Sequence, residues 1–366
     1  MSAVSGESSS SLVADQQEQY YIEKTDYGEL KITPIDINCL EACMNQVAGH
    51  GTRKKKKELS LMVRDCKIYK AIQPGKKRSW SEVHFYENQV KLAAYLLPFI
   101  PKYYGVQRTF VPLEEGEIPD ITSNSSVMDT LYLQQAGVST NSDLNSQSSS
   151  EVSSSSVSPA NTPTLPSQQT FKPIDFIVLE DITANMDHPN VMDIKMGQRT
   201  YGEDASPQKI LEEESKYVYQ HQLGMRISGA KIYDIVKKEY QYFDRQWGRS
   251  VTPDTIVEAM ETFLFSNGFD EETRVSVGRH VTNLLLKEVR KIHHLFTEKN
   301  DKFRMYASSL LIVYDRNKNF SMKIIDFSHV HQNLLHQPVY DTNFIQGLVT
   351  IISVLETLEE RYSQQQ

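Results

Sequence analysis

Asp193 and Lys195 stand two residues apart near the middle of the 366-residue chain, in Pro189-Asn190-Val191-Met192-Asp193-Ile194-Lys195-Met196-Gly197. Alternate residues of an extended segment share a face, so an acid and a base point together into one space. Gly197 then lets the backbone turn or approach a ligand closely. An ion pair on an exposed strand is the alternative that these two charges alone leave open. Three more ionisable residues stand at the ends of expected elements: Lys70 in Ile68-Tyr69-Lys70-Ala71-Ile72, Glu82 at the start of the next helix, and Asp326 after Met322-Lys323-Ile324-Ile325. A strand lysine grips phosphate oxygens, a helix glutamate orients that lysine, and a carboxylate after an apolar strand offers the hard oxygen that Mg2+ favours. In that order they have the layout of a kinase-like ATP site, although each alone is weak: a strand lysine is common at an edge, and Glu82 could simply complement a helix N-terminus.

The elements that must position these residues follow from periodicity and turn chemistry. Leu59–Val63 and Cys66–Ile72 read as strands, and 81–97 as a helix with Val83, Tyr86, Val90, Ala93 and Leu97 inward, capped by Ser81 and stopped by Pro98. Ile174–Ile182 is strand-like, 206–221 a short polar helix, and Leu223–Gly229 and Lys231–Ile235 strand material. Helices are expected from Thr252 to about Phe265, over 271–297 and over 341–361, with strands 309–314 and 320–325 around the turn Asp315–Asn319. Residues 1–20 and about 114–170 are rich in Ser, Gln and other polar types and bury too little apolar surface to order. The second is expected as an insertion within a domain, because strand-like sequence resumes directly after it. The expected organisation is a first lobe over 21–180 and a second over 181–366, the latter carrying a short segment at 198–222.

Composition narrows the function classes. Hydrophobic residues make up 39% and charged ones 23%, as in an ordinary globular enzyme. A net charge of -8 argues against nucleic acid as the main partner but allows a local basic pocket. Cys39, Cys43 and Cys66 suit a reducing compartment; Cys39 and Cys43 are expected as small buried side chains, since four zinc ligands are missing. No run approaches a membrane span and the N-terminus lacks the features of a secretory signal. Arg53–Lys57 is a nuclear address, a phosphate-attracting patch or a solvated hairpin tip. A protein kinase is excluded: there is no His-Arg-Asp loop, no Gly-x-Gly-x-x-Gly near the first strand, and Ser328 follows Asp326-Phe327 where glycine is required. No Gly-x-x-x-x-Gly-Lys-Ser/Thr loop exists either.

The segment Pro189–Gly197 resembles the Pro-x-x-x-Asp-x-Lys-x-Gly signature of the inositol polyphosphate kinases. Ser308-Ser309-Leu310-Leu311, Ile325-Asp326-Phe327, Gln46-Val47-Ala48-Gly49-His50 and Lys102-Tyr103-Tyr104-Gly105 also resemble this family, in the family's order. The resemblance covers about 38–361 apart from the Ser-rich insertion. It implies an α+β, two-lobed, kinase-like fold related to protein kinases and ATP-grasp proteins, with a short helical segment that binds the inositol phosphate. It implies ATP-dependent phosphorylation of inositol 1,4,5-trisphosphate and tetrakisphosphate. Only residues 198–222 separate Gly197 from Leu223, too few for the long substrate lobe of the trisphosphate 3-kinases. Lys216-Tyr217, Leu223-Gly224-Met225-Arg226 and Tyr306–Leu311 favour the multikinase branch, and Gly202–Ser206 leans to the hexakisphosphate kinases.

By this resemblance Lys70 contacts ATP phosphates with Glu82 as its partner, the backbone of Glu180 and Ile182 meets adenine at a hinge, and Asp193 binds the ribose, with a direct catalytic role in activating the substrate hydroxyl as the alternative. Lys195 serves the transferring phosphate and the inositol, Asp326 binds Mg2+, and His329 faces the substrate. Ser309 supports the metal site or packs its strand. Lys209 and Lys216, seven apart, clamp substrate phosphates, but Leu211, Glu212, Glu213 and Glu214 stand where the multikinases carry glutamines, and Glu212 and Glu213 would repel those phosphates. Lys76, Lys77, Arg78 and Arg245, ahead of Trp247-Gly248-Arg249, are further phosphate contacts or solvated surface. Of the remaining histidines, His293, His294, His331 and His336 take no role. The partners implied are soluble inositol phosphates, with a phosphoinositide headgroup at a membrane surface also admitted; the protein is expected to be a monomer of nucleus and cytoplasm.

Overall fold

The computed structural model describes residues 20–25, 28–47, 61–73, 77–112, 171–266, 269–333 and 339–363. The terminal residues 1–19, Arg53–Lys57, Lys76, the Ser-rich segment 114–170 and His336 lie outside the described residues, as do the side chains of Lys77 and Arg78.

The first sheet has seven strands in the order β1-β2-β6-β7-β5-β4-β3. They are β1 (Tyr21–Thr25), β2 (Gly28–Pro34), β3 (Glu41–Ala42), β4 (Leu61–Arg64), β5 (Lys67–Ala71), β6 (Tyr103–Pro112) and β7 (Phe171–Glu180). The β4–β5 hairpin turns on Asp65 and Cys66, whose φ values of 50° and 58° are what a two-residue hairpin loop needs. The ends of β6 and β7 pair Pro112 with Phe171, so residues 113–170 leave and rejoin the sheet at adjacent positions. Arg108 and Asp175 lock these strands through two hydrogen bonds of 2.6 and 3.0 Å.

Helix α1 (Lys77–Glu87) crosses this sheet, followed by a 3-10 segment, Gln89–Phe99. The single helix expected over 81–97 is therefore two pieces, and Ser81 lies inside α1 instead of capping it. Glu82 stands in the second turn of α1, so it does not complement the helix N-terminus. Within the 3-10 segment Ala93 (φ -134°, ψ 49°) adds a kink. Beyond α1 the spacing tightens to three residues per turn, as a 3-10 helix requires. Val90, Ala93 and Leu96 are therefore buried, while Leu97, expected inward, is exposed.

The second sheet runs β10-β9-β8-β12-β13. Its strands are β8 (Asn190–Met196), β9 (Met225–Asp234), β10 (Glu239–Phe243), β12 (Ser309–Tyr314) and β13 (Phe320–Ile325), with β11 (Phe303–Met305) and β14 (Val330–Gln332) forming a separate ribbon. Strand β9 is continuous where two pieces were expected. Strand β8, which carries Asp193 and Lys195, is central and buried along almost its whole length, which removes the exposed-strand alternative. The polar helix expected over 206–221 is α2 (Pro207–Glu214), capped by the Ser206 side chain, and then α3 (Gln220–Leu223). Between them Tyr217 is buried and donates to the Val251 carbonyl at 2.6 Å, which pulls the chain off the helical path.

Helices α4 (Arg245–Ser250), α5 (Ile256–Leu264), α6 (Glu271–Glu298) and α7 (Thr342–Ser363) complete this half. Phe296 stacks on Phe344 at 4.5 Å, joining α6 to α7. Gly197 (φ 104°) could not carry a side chain, because a Cβ there would meet the Asn343 amide and the Arg199 carbonyl. The α7 residue Asn343 thereby fixes the turn that follows the Asp193–Lys195 strand. Two mixed layers of sheet and helix, each with its own strands, make the fold α+β and two-lobed. No helix among the described residues is long and apolar enough to cross a membrane.

The cysteines depart from expectation. Cys39 ends a 3-10 turn and is exposed, Cys66 is exposed in the hairpin, and Cys43 is half-buried on a cleft wall. Between Cys39 and Cys43, Glu41–Ala42 pairs with β4 as the outermost strand of the first sheet, an edge position that leaves Cys39 in solvent.

Candidate active site

A cleft of about 720 Å³ lies between the two sheets. Strand β5 presents Lys70 from above and α1 presents Glu82 beside it. The Lys70 ammonium donates to both Glu82 carboxylate oxygens, at 2.8 and 3.0 Å, and to Asp326 Oδ1 at 2.6 Å. Burial disfavours the Lys70 charge, but Asp326 and Glu82 more than offset it and hold its pKa above the ordinary lysine value. Asp326 follows β13 with φ 65°, a left-handed conformation uncommon for a residue with a side chain. The Ser308 hydroxyl donates to its carbonyl at 2.9 Å. Phe327 next to it is fully buried, stacked on Phe85 of α1 at 4.1 Å, a burial that contributes roughly 1.5–3 kcal/mol. The same helix thus positions Glu82 and clamps the turn that carries Asp326.

On the floor, β8 sits between β12 and β9 with Asp193 opposite Leu311 and Gly229, and Lys195 opposite Ser309 and Arg226. Both face the cleft. Lys195 donates to the Ala307 carbonyl at 2.7 Å. Burial raises the Asp193 pKa and nearby Asp326 adds to this, while Lys195, Ser309 and Ser228 pull it down. Among the described residues its Oδ1 is buried without a hydrogen-bond partner, and so is Ser309 Oγ, which stands near Asp193 and pulls on it without closing to hydrogen-bond distance. Unsatisfied buried acceptors are costly, and a ligand hydroxyl supplied at this wall would answer that cost.

At the back, Glu180 ends β7 and is tied to Lys102 through its own N–H at 2.8 Å and its carboxylate at 3.1 Å. Asp181 turns the chain by accepting from Thr183 N and Oγ1. Ile182 follows in this turn, and its N–H has no partner among the described residues. Ile68, Ile72, Leu179, Val191, Leu311 and Ile325 make an apolar slot beside it, the size and character of a site for a flat heterocycle.

The remaining wall is charged. Lys209, Lys216, Glu213, Arg226, Arg245, Arg249 and His329 line it. Of the expected site residues, Lys70, Glu82, Glu180, Ile182, Asp193, Lys195, Lys209, Lys216, Arg245, Asp326 and His329 all line this one cleft, whereas the Arg78 side chain lies outside the described residues. Sequence reasoning assigned no role to Arg226, Arg249 or Lys231. Arg226 stands beside Lys195 in the register, which the two motifs Asp-x-Lys and Leu-Gly-x-Arg do not reveal separately. Lys231 is buried, lies 3.9 Å from the Tyr240 ring centroid, and donates to Met44 O and Asn45 Oδ1; Asn45 in turn donates to Thr183 Oγ1 at 2.7 Å. This chain of contacts holds Asn45–Val47 against the cleft.

Two sheets closing on a cleft with a Lys–Glu–Asp cluster define a kinase-like protein. Residues 176–356 match the family model described as inositol polyphosphate kinase. It is 31% identical over 140 residues to the inositol polyphosphate multikinase of Homo sapiens, covering 38% of this chain and 32% of that protein. It is 34% identical over 149 residues to inositol hexakisphosphate kinase 1 of Saccharomyces cerevisiae, covering 40% of this chain and 13% of that one. The matched region thus spans a third or less of these curated relatives. The inositol phosphate multikinase Ipk2 of S. cerevisiae, solved with ADP and Mn2+, superposes with a TM-score of 0.44 at 22% identity, over 50% of this chain and 84% of that one.

Proposed function

We propose that the protein is an ATP-dependent inositol polyphosphate kinase of multikinase type, acting on inositol 1,4,5-trisphosphate and tetrakisphosphate. The observation that carries this reading is the convergence of Lys70, Glu82 and Asp326 with Asp193 and Lys195 in one cleft. ATP supplies the phosphoryl group when bound, and a divalent ion such as Mg2+ would be held through Asp326. Among the described residues no three His, Cys, Asp or Glu side chains converge as an ion site. This suits a hard cation that takes one or two carboxylates and completes its shell with phosphate oxygens.

The residues then divide the work. Ile182 N–H, and the Glu180 backbone beside it, meet adenine; the apolar slot excludes water from it. Asp193 Oδ1 accepts from a ribose hydroxyl, which satisfies an otherwise unpaired atom. Lys70, oriented by Glu82, carries positive charge to the nucleotide phosphates. Lys195 neutralises the charge that develops on the transferring group, the largest contribution open to a protein in phosphoryl transfer. Arg226, Arg245, Arg249 and His329 hold the acceptor. A phosphoinositide headgroup offers the same ring chemistry and is a second acceptor to test.

The assay follows ADP release and resolved products with inositol phosphates of three to six phosphates, and with vesicles containing phosphatidylinositol 4,5-bisphosphate. Turnover of the trisphosphate is expected, with at least a hundredfold loss in Lys195→Ala and Asp326→Asn. Turnover like that of the unaltered protein in both variants would sink the assignment. Addition to the hexakisphosphate alone would instead establish a hexakisphosphate kinase, the activity named for the S. cerevisiae relative.

A further inference from the structure

The charges around the acceptor end of the cleft are unevenly compensated. On one side, Glu213 of α2 receives Lys209 at 2.6 Å and Lys216 at 2.7 Å, and the Thr200 hydroxyl at 3.0 Å. Glu212 adds contacts to Lys216 at 3.0 Å and Lys209 at 3.4 Å. Two lysines and two carboxylates therefore cancel. The Glu213 side chain is only 13% exposed, whereas Lys209 and Glu212 are 45% and 54% exposed, so water screens the rim of this cluster and not its centre. Burial works to raise its pKa, yet Lys209, Lys216 and Thr200 bring it down to about 2, and it is a carboxylate at any working pH. On the other side stand Arg226, Arg245 and Arg249, with no ion pair among the described residues. Burial and then Arg249 lower the Arg226 pKa, Glu213 across the cleft opposes them in part, and Arg245 adds to the lowering.

We propose that Glu213, assisted by Glu212, is a specificity-determining residue that keeps phosphate groups away from the α2 side of the acceptor site. The inference rests on the kinase reading above and deepens it. An acceptor phosphate is attracted to the three arginines, which have charge to spare. At α2 it must displace Glu213 from both lysines or lie against its carboxylate, whereas a free hydroxyl can donate to that carboxylate. The site therefore favours acceptors with few phosphates, oriented with a hydroxyl edge toward α2. Glu213 acts by setting the charge and hydrogen-bonding character of this edge.

The test compares KM for inositol phosphates carrying three, four and five phosphates in the full chain and in Glu213→Gln, Glu212→Gln and Glu214→Gln. Glu214 is on the same helix but accepts from Tyr201 at 2.7 Å and makes no contact with either lysine, so it controls for bulk charge. One unit charge removed about 4 Å from a phosphate corresponds to about fivefold or more in affinity. The ratio of KM for the five-phosphate to the three-phosphate acceptor is expected to fall by about that factor in Glu213→Gln and by less in Glu212→Gln. It should stay unchanged in Glu214→Gln. An unchanged ratio in a folded Glu213→Gln, or an equal shift in Glu214→Gln, overturns the proposal; if Glu213→Gln does not fold, Glu212→Gln decides by the same criterion. Should the unaltered protein turn over none of these compounds, the kinase reading fails separately. Calorimetry with inositol hexakisphosphate then judges the charge argument alone: tighter binding to Glu213→Gln supports it and equal binding refutes it.

Discussion

Lys70→Met should destabilise the protein, and a second substitution should rescue its stability without rescuing its activity. Glu82 is 3% exposed and has the Lys70 ammonium within hydrogen-bond distance of both carboxylate oxygens. Removing the lysine leaves a buried carboxylate without its cation, which costs about 3–5 kcal/mol in comparable cases. The Lys70 side chain is 32% exposed, so some water reaches the pair and about 3 kcal/mol is the expected loss. Asp326, at 38% exposed, loses the same partner but remains solvated and adds little. In Lys70→Met/Glu82→Gln no buried charge remains, and the methionine fills the space of the lysine stem. Most of the loss should return, a coupling of roughly 2 kcal/mol. Urea unfolding of the four proteins at one pH gives the coupling, and ADP release gives the activity. Both altered forms should be inactive, because neither offers a cation to the nucleotide phosphates. A double variant no more stable than Lys70→Met would refute the argument, since Glu82 would then not depend on Lys70 for its burial. Activity in either form would refute the role of Lys70.

Two further outcomes follow from buried groups away from the phosphate-binding residues. Burial pushes Asp341 up to about 6, although it accepts from Met305 N at 2.6 Å and Phe344 N at 3.0 Å. Its folded value lies above its ordinary value near 3.9, so its contribution is complete below about pH 4 and is lost as pH rises through 6. This residue alone should make the protein roughly 1 kcal/mol more stable at pH 5 than at pH 7, a difference that denaturation curves of Asp341→Asn should lack. Burial also lowers Lys231 to about 8, with Cys43 and Asp181 opposing the shift. Lys231→Met releases Met44 and Asn45 from the cleft wall and should raise KM for ATP by up to about tenfold while changing kcat less, as steady-state kinetics would report.

How legible the site was in the sequence depended on whether its parts are local. Asp193 and Lys195 share a strand, so a spacing of two fixes their common face, and β8 obeys it even though Ser228 makes a bulge in its neighbour between Gly229 and Ile227. The strand residues Lys70 and Ile325 are marked by apolar neighbours, which the strands keep. Glu82 lies in the expected helix but one turn later than expected, because α1 starts at Lys77, and its polar first residues Lys77-Arg78-Ser79 give no apolar period to mark that start. Arg226 and Arg249 carry no local mark: their meaning comes from packing α4 against β9, where Gly248 lies against the Ile227 carbonyl. The glutamates of α2 were visible as a departure from the pattern, and repulsion of phosphate was foreseen. That they would hold both lysines at once depends on Lys216 leaving the helix after Glu214 yet returning to Glu213, and periodicity describes no such path.

The backbone at the floor of the cleft explains why these parts need one another. Ala307 and Asp326 flank the paired ends of β12 and β13, and both are left-handed, with φ of 54° and 65°. For residues with side chains each such conformation costs roughly 1–2 kcal/mol, so something must hold it. The Ala307 carbonyl receives Lys195, the Asp326 carbonyl receives Ser308, and Phe327 is gripped by α1. The same two turns aim Asp326 at Lys70 and give Lys195 its anchor. Strain at these positions is thus supported by contacts from both lobes, which makes the charged cluster a property of the closed pair of sheets and not of either sheet alone. An isolated second sheet would keep the Lys195 contact but lose α1, and with it the restraint that points Asp326 into the cleft.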